Sequence, residues 1–258
     1  MKKTLIALFC FVVLAFLPVA ALSQLVPPQI SEAEKAEGFV SIFNGTDLTG
    51  WEGSPALWKV ENGAIVGTTT AEGPAKIDYN QFLIWKGVAG DFVLRFDIKC
   101  SKAGNSGMQY RSWMNPDSEK PFSVFGYQAD FDGEHKYSGI SYGEGFRGIL
   151  CMRGQVTVIG NDSKPKEVGR FAEHESFQKE LKVEDWNTVE ITAEGFTFTN
   201  KINGQLVSIC IDDDKANRRE SGVIAIQAHR GPPMKVEVKN IRIKRIFREF
   251  KQEDISAL

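Results

Sequence analysis

The run from Phe92 to Cys100 alternates without a slip. Phe92, Leu94, Phe96, Ile98 and Cys100 fall on one side; Val93, Arg95, Asp97 and Lys99 fall on the other. A helix would scatter these apolar side chains around its axis, whereas an extended strand lines them up on one face. Trp186 to Ala193 repeats the pattern, with Val189, Ile191 and Ala193 inward. Turn signals separate such runs at short intervals. Asn62-Gly63 lies between Trp58-Lys59-Val60 and Ala64-Ile65-Val66, and Asn203-Gly204 precedes Gln205-Leu206-Val207. An Asn-Gly pair between extended segments suits a tight hairpin, because both central residues take positive φ. Glu194-Gly195 turns the chain into Phe196-Thr197-Phe198. Further on, Val236 and Val238 share one phase and Ile241 and Ile243 the next, so a β-bulge is expected at Lys239-Asn240. Helical signals are confined to Ser31–Ala36, with Ser31 as cap, and to Glu167–Lys182. There is no α/β alternation and no solenoid repeat. The pattern predicts an all-β sandwich of two antiparallel sheets, of the jelly-roll kind.

The segments outside this pattern suggest the compartment. Lys2 and Lys3 precede the uncharged apolar run Leu5–Phe16, Pro18 breaks it, and Ala21-Leu22-Ser23 offers small residues for cleavage. Residues 1–23 are expected to be a secretory signal, too short in their apolar part for a membrane span of about 20 residues. Residues 24–37 form a leader, 38–247 one β domain and 248–258 a tail. No membrane association is expected once the signal is removed. The formal net charge is −2 and no basic stripe concentrates charge, which argues against a nucleic-acid partner. Cys100, Cys151 and Cys210 follow the signal. They form either one disulfide with a free thiol or three buried apolar thiols. Their spacing suggests no zinc site, and the residues predict neither a metal nor a cofactor.

Three strands are expected to place polar side chains on one side of one sheet. Gln128 and Asp130 oppose Tyr127, Ala129 and Phe131. Gln109, Arg111 and Trp113 share a face. Gln227 and His229 oppose Ile224, Ile226 and Ala228. Amides, a guanidinium, a carboxylate and an imidazole hydrogen-bond paired hydroxyls, and an indole covers the apolar face of a pyranose. These groups together point to a carbohydrate ligand. His229 ends its strand, and an imidazole is the side chain best suited to general acid–base work. His135 and His174 lie in polar contexts and read as solvated, as does the acidic turn Asp212-Asp213-Asp214. The Gly-rich stretch Gly139–Gly148 carries Tyr142, Glu144 and Arg147 and reads as a loop closing over a ligand. It is not a phosphate loop, because no Lys-Ser/Thr follows. No serine-nucleophile motif is present. Asp130 and Glu144 are a candidate for the two opposed carboxylates that a glycosidase needs.

Several stretches resemble the 3-keto-disaccharide hydrolase family, also described as the 3-keto-glucoside 1,2-lyase / 3-keto-2-hydroxy-glucal hydratase domain. They are the opening Phe39-Val40-Ser41-Ile42-Phe43-Asn44-Gly45-Thr46-Asp47-Leu48-Thr49-Gly50-Trp51, then Gly104–Arg111, Gly126–Asp130, Gly222–His229 and the closing Val236–Ile246 strand. The resemblance implies a concanavalin-A-like jelly roll, export by glycan-degrading bacteria, and action on glucosides already oxidised at C3. It carries Gln109, Arg111, Gln128, Asp130, Gln227 and His229 over as site residues, followed by Tyr142, Glu144 and Arg147. The implied chemistry removes the C2 proton and eliminates the C1 substituent, after which water adds. In that scheme His229 or Asp130 is the base, Arg111 or Arg147 stabilises the enolate and Glu144 assists departure. The competing reading is a non-catalytic carbohydrate-binding module, with Trp113 as its sugar platform, because fold alone does not fix function.

Overall fold

The computed structural model describes residues 30–114 and 119–247. The expected signal, the first part of the leader and the tail lie outside the described residues. In chain order the strands are β1 (Val40–Ser41), β2 (Trp51–Glu52), β3 (Trp58–Glu61), β4 (Ala64–Thr68), β5 (Gln81–Trp85), β6 (Phe92–Cys100), β7 (Asn105–Met114), β8 (Val124–Asp132) and β9 (Ser141–Glu144). They continue as β10 (Gly148–Cys151), β11 (Gln155–Ile159), β12 (Pro165–Arg170), β13 (Asn187–Glu194), β14 (Thr197–Ile202), β15 (Gln205–Asp212), β16 (Val223–Ala228) and β17 (Lys235–Arg245). One sheet runs β12-β11-β15-β14-β13-β6-β17-β4-β3, with β1 added along β17. The other runs β10-β9-β8-β7-β16-β5-β2. All pairings are antiparallel except β11 with β15. The fold is a concanavalin-A-like jelly-roll sandwich.

Each sheet turns one apolar face inward. The inward residues of β6, Phe92 to Cys100, all enter the shared core, as do Val189, Ile191 and Ala193 of β13. Opposite them lie Tyr127, Ala129 and Phe131 of β8 and Ile224, Ile226 and Ala228 of β16. Tyr110, Tyr127 and Phe198 form the centre, with Tyr127 and Phe198 rings 4.5 Å apart. Both Asn-Gly turns form as expected, with φ of +50° and +75° at Asn62-Gly63 and +51° and +83° at Asn203-Gly204. The bulge in β17 also forms: its register against β6 shifts between Lys239 and Arg242, and Asn240 takes φ +53°. Ser31 caps α1 (Glu32–Ala36) through a reciprocal capping box. That helix lies behind the larger sheet, where Glu34 bonds Arg242 at 2.7 Å and Arg95 at 3.3 Å. Of Glu167–Lys182, only His174–Glu180 coils, as a 3₁₀ helix; the preceding residues join β12.

The three cysteines are buried free thiols. Burial pushes Cys100 and Cys210 up to about 12, which makes them poor nucleophiles. Of the acidic turn expected to be solvated, only Asp213 is exposed, and Asp212 and Asp214 are buried. Asp212 is fully buried and accepts hydrogen bonds from Tyr127 Oη and Arg147 Nη1, each at 2.5 Å. His135 is corrected too. It is 3% exposed, packs edge-on to Phe131, and its Nδ1 lies 3.0 Å from Ser138 Oγ. Beside it the fully buried Arg153 donates to the carbonyls of His135 and Ser138, both at 2.8 Å, and ties down the loop that carries Tyr137.

The smaller sheet departs from simple alternation in one informative way. In β7 and β8 nearly every residue is buried, polar and apolar alike. Their apolar face meets the core. Their other face is also covered, and that cover forms the site.

Candidate functional site

A cavity of about 620 Å³ opens on the outer face of the smaller sheet. Register brings its floor together. Gln109 pairs with Gln128 across β7 and β8, Gln128 with Tyr142 across β8 and β9, and Ala225 with Gln109 across β16 and β7. The period of two then places Gln128 and Asp130 of β8, Tyr142 and Glu144 of β9 and Gln227 of β16 on one wall. His229 and Arg230 follow β16 at the rim. Tyr79, Asn80, Lys120, Phe125 and Tyr137 add to the lining from loops and the start of β8. Gly107, opposite Asp130, makes room for the floor: a Cβ there would lie 2.7 Å from Gln128 Cγ.

The polar groups of the floor form one connected network. Gln109 Nε2 donates to Gln128 Oε1 at 2.8 Å. Gln128 Nε2 donates to Asp130 Oδ1 at 2.5 Å and to Gln227 Oε1 at 3.3 Å. Gln227 Nε2 donates to Glu144 Oε2 at 3.3 Å, and Asn80 Nδ2 to Glu144 Oε1 at 2.9 Å. Arg230 N donates in turn to Asn80 Oδ1 at 2.9 Å. Both Glu144 oxygens thus accept N–H groups. Asp130 differs. Burial, with further pressure from Asp132 and Glu144, raises it to about 8 against the lowering effect of the Gln128 bond. At neutral pH it is mainly a neutral acid, with Oδ1 occupied by Gln128 and Oδ2 left for the proton. Burial beside Glu144 and Asp130 also raises Tyr142.

His229 is tautomerically fixed. Its Nδ1 lies 2.5 Å from the Arg230 carbonyl oxygen. A carbonyl only accepts, so Nδ1 carries the proton and Nε2 of the neutral ring is bare. The cavity is thus lined by an imidazole at its rim and a buried carboxylic acid at its floor.

Four of the expected site residues do not line the cavity. Arg111 was expected on the polar face with Gln109, but β7 bulges between Tyr110 and Trp113 and Arg111 takes φ +44°. Its side chain, 1% exposed, turns away to bond the Gly90 carbonyl at 2.8 Å, the Gly195 carbonyl at 2.6 Å and Asp91 at 2.5 Å. Glycine faces this bulge on both sides, because a Cβ at Gly126 or Gly222 would overlap Ser112 or the Arg111 backbone. Trp113 follows the bulge and does not line the cavity. Its ring packs against Phe125 and Phe146, with the Arg219 guanidinium 4.3 Å above. It offers no open sugar platform. Arg147 also leaves the ligand face: its side chain is 4% exposed and pairs with buried Asp212. Gln109, fully buried, stands behind Gln128 and does not line the cavity.

The Arg147–Asp212 pair carries a prediction. Arg147→Leu leaves Asp212 buried without its cation, a loss of about 3–5 kcal/mol. Denaturant unfolding is expected to show that drop. A change under about 1 kcal/mol would contradict a structural role for Arg147.

Sequence reasoning missed Asn80, Tyr79, Lys120 and Phe125. Asn80 sits in a loop before β5, outside any periodic pattern, and reaches Glu144 only through the fold. Arg230 was legible only as the neighbour of His229. Among the described residues, no cluster of three His, Cys, Asp or Glu is arranged to hold a metal ion.

The 3-keto-alpha-glucoside-1,2-lyase-like domain family matches residues 38–244. The chain belongs to this family. A 3-keto-disaccharide hydrolase of Bacteroides thetaiotaomicron is 34% identical over 80 residues. That match covers 29% of this chain and spans 28% of the relative's length. A solved structure from Parabacteroides distasonis, provisionally assigned as a glycosyl hydrolase, superposes with a TM-score of 0.56. It is 21% identical and covers 86% of this chain and 100% of its own. A Bacillus subtilis protein with a galectin-like fold superposes with a TM-score of 0.50 at 9% identity, covering 86% of this chain and 96% of its own. Both structures share the fold. The family's span holds every strand that builds the cavity floor, from β5 through β16.

Proposed function

We propose that this protein is an exported enzyme that cleaves 3-keto-glucosides by elimination at C1, followed by hydration. The family assignment supports a carbohydrate-active protein, and the N-terminal segment of two lysines and an apolar run supports export. The observation that carries the reading is the pairing of His229 and Asp130 on one cavity. Neither an unprotonated imidazole nitrogen nor a carboxylic acid held neutral is needed merely to grip a sugar, whereas proton transfer needs both.

A ketone at C3 acidifies the C2–H bond. His229 Nε2 removes that proton, and the electron pair moves onto the C3 oxygen as an enolate. The Asp130 O–H donates to that oxygen as its charge develops. The enolate then collapses, C1=C2 forms, and the C1–O bond breaks. The imidazolium returns its proton to the departing oxygen, giving the free alcohol and the 2-hydroxy-3-keto-glucal. Water next adds across C1=C2, its hydroxyl to C1 and a proton to C2. Glu144, whose two oxygens each accept an amide N–H, receives a sugar hydroxyl; this replaces the expectation that it assists departure. Asp130 takes the enolate role expected of Arg111 or Arg147, because both arginines lie outside the cavity.

The test is aglycone release from a chromogenic glucoside and from its 3-keto form. Release from the keto form alone supports the reading. Sugar binding with no release from either form overturns it in favour of a binding module.

A further inference from the structure

Gln109 touches no part of the cavity, yet the network ends on it. The polarity of that network runs one way. Glu144 accepts from Gln227 Nε2, so Gln227 Oε1 is left to accept from Gln128 Nε2. Gln128 Oε1 must then receive a donor, and Gln109 Nε2 supplies it at 2.8 Å. Gln109 Oε1 takes the Ser112 hydroxyl at 2.6 Å. Gln109 and Ser112 are 0% and 1% exposed, so water does not replace a missing partner here.

The geometry points to Gln109 as a positioning residue: by donating to Gln128 Oε1 it fixes which edge of Gln128 meets Asp130, and hence which Asp130 oxygen carries the proton toward the cavity. The inference rests on the proposed reading of Asp130 as the donor to the enolate. With the native polarity, Gln128 N–H occupies Oδ1 and the proton stays on Oδ2. A carboxylate in place of Gln109 accepts where the amide donated. Gln128 then turns its N–H toward that carboxylate and its carbonyl toward Asp130. Asp130 must now donate to Gln128, so its proton points into the protein. The other groups around Asp130 keep their places: Asp132 on its own strand, Tyr142 and Glu144 on β9, Tyr137 on the loop between β8 and β9, and His229 beyond β16.

The distinguishing mark of this role is a pair of opposed effects. Asp130 holds its proton more tightly, yet the proton is withdrawn from the substrate. The experiment follows the Asp130 side-chain carboxyl by ¹³C NMR against pH in the full chain, assigned by the signal lost in Asp130→Asn. In Gln109→Glu its midpoint is expected to move up by about one pH unit or more. The kcat on a 3-keto-glucoside is expected to fall about tenfold with KM nearly unchanged. If Gln109→Glu fails to fold, Gln109→Leu decides, since it also removes the donor to Gln128 and shifts Asp130 in the same direction. A folded variant whose Asp130 titrates within about 0.3 units of the parent overturns the role. A parent inactive on every keto-glucoside sinks the enzymatic reading, while the carboxyl titration still decides what Gln109 does to Asp130.

Discussion

His229→Ala is expected to lower kcat on a 3-keto-glucoside by roughly 10²–10⁴, the usual contribution of a general base. The imidazole lines the rim, with Nδ1 bonded to the Arg230 carbonyl and Nε2 left as the proposed base. Removing it leaves the floor network intact, because His229 is not a member of it. KM should therefore change far less than kcat. Steady-state kinetics on the purified variant measure both, and a loss below about threefold would remove His229 from the chemistry. His229→Gln should recover little of the loss, since an amide does not take the C2 proton.

Asp130→Asn is the second large effect, and it moves activity and stability in opposite directions. Asp130 is raised to about 8 in the folded protein, chiefly by burial, against about 3.9 for an unperturbed aspartate. The acid form is the proposed donor, so kcat/KM of the parent should fall as pH rises through about 8. The amide keeps a hydrogen-bond donor but is a weaker one toward an enolate. A loss on the order of 10²-fold is expected, with the alkaline limb near pH 8 abolished. Stability follows from the same shift. Between the unfolded and folded values the native state holds a proton that the unfolded chain has lost. The stabilising contribution is complete below the unfolded value and is lost as pH rises through about 8. Above that, the parent carries an unfavourable buried charge that the variant lacks. Asp130→Asn should therefore be more stable than the parent at pH 9 by more than about 1 kcal/mol. Denaturant melts at pH 5 and pH 9 measure this, and equal parent and variant stability at pH 9 would show that Asp130 is not held neutral.

The strands were readable wherever period two ran unbroken. β6 and β13 show this, as do the Asn-Gly hairpins, whose φ angles leave little choice of residue. The slip at Lys239-Asn240 was also readable, because apolar residues flank it in both phases. The bulge in β7 was not. Its residues are Arg111 and Ser112, and counting by two from Gln109 put Arg111 and Trp113 on the cavity face. One extra residue reversed that, and only Gly126 and Gly222, seen in space, explain why the backbone tolerates it. Asp212 and Arg147 show a second limit. Each reads as solvated or ligand-facing alone, and only the fold brings them within 2.5 Å. The polar floor of Gln128, Asp130 and Gln227 was legible as a face. Its burial was not, since the covering groups, Asn80 among them, come from loops without a periodic signature.

Elimination differs from direct hydrolysis in what happens at C2. A short incubation of a 3-keto-glucoside with the protein in D₂O, followed by mass spectrometry and NMR of the released 3-keto-glucose, separates the two. Elimination and hydration place one solvent deuterium on C2 of every product molecule, and His229→Ala should slow deuterium uptake and aglycone release together. Aglycone release with protium retained at C2 would contradict the mechanism proposed for this cavity.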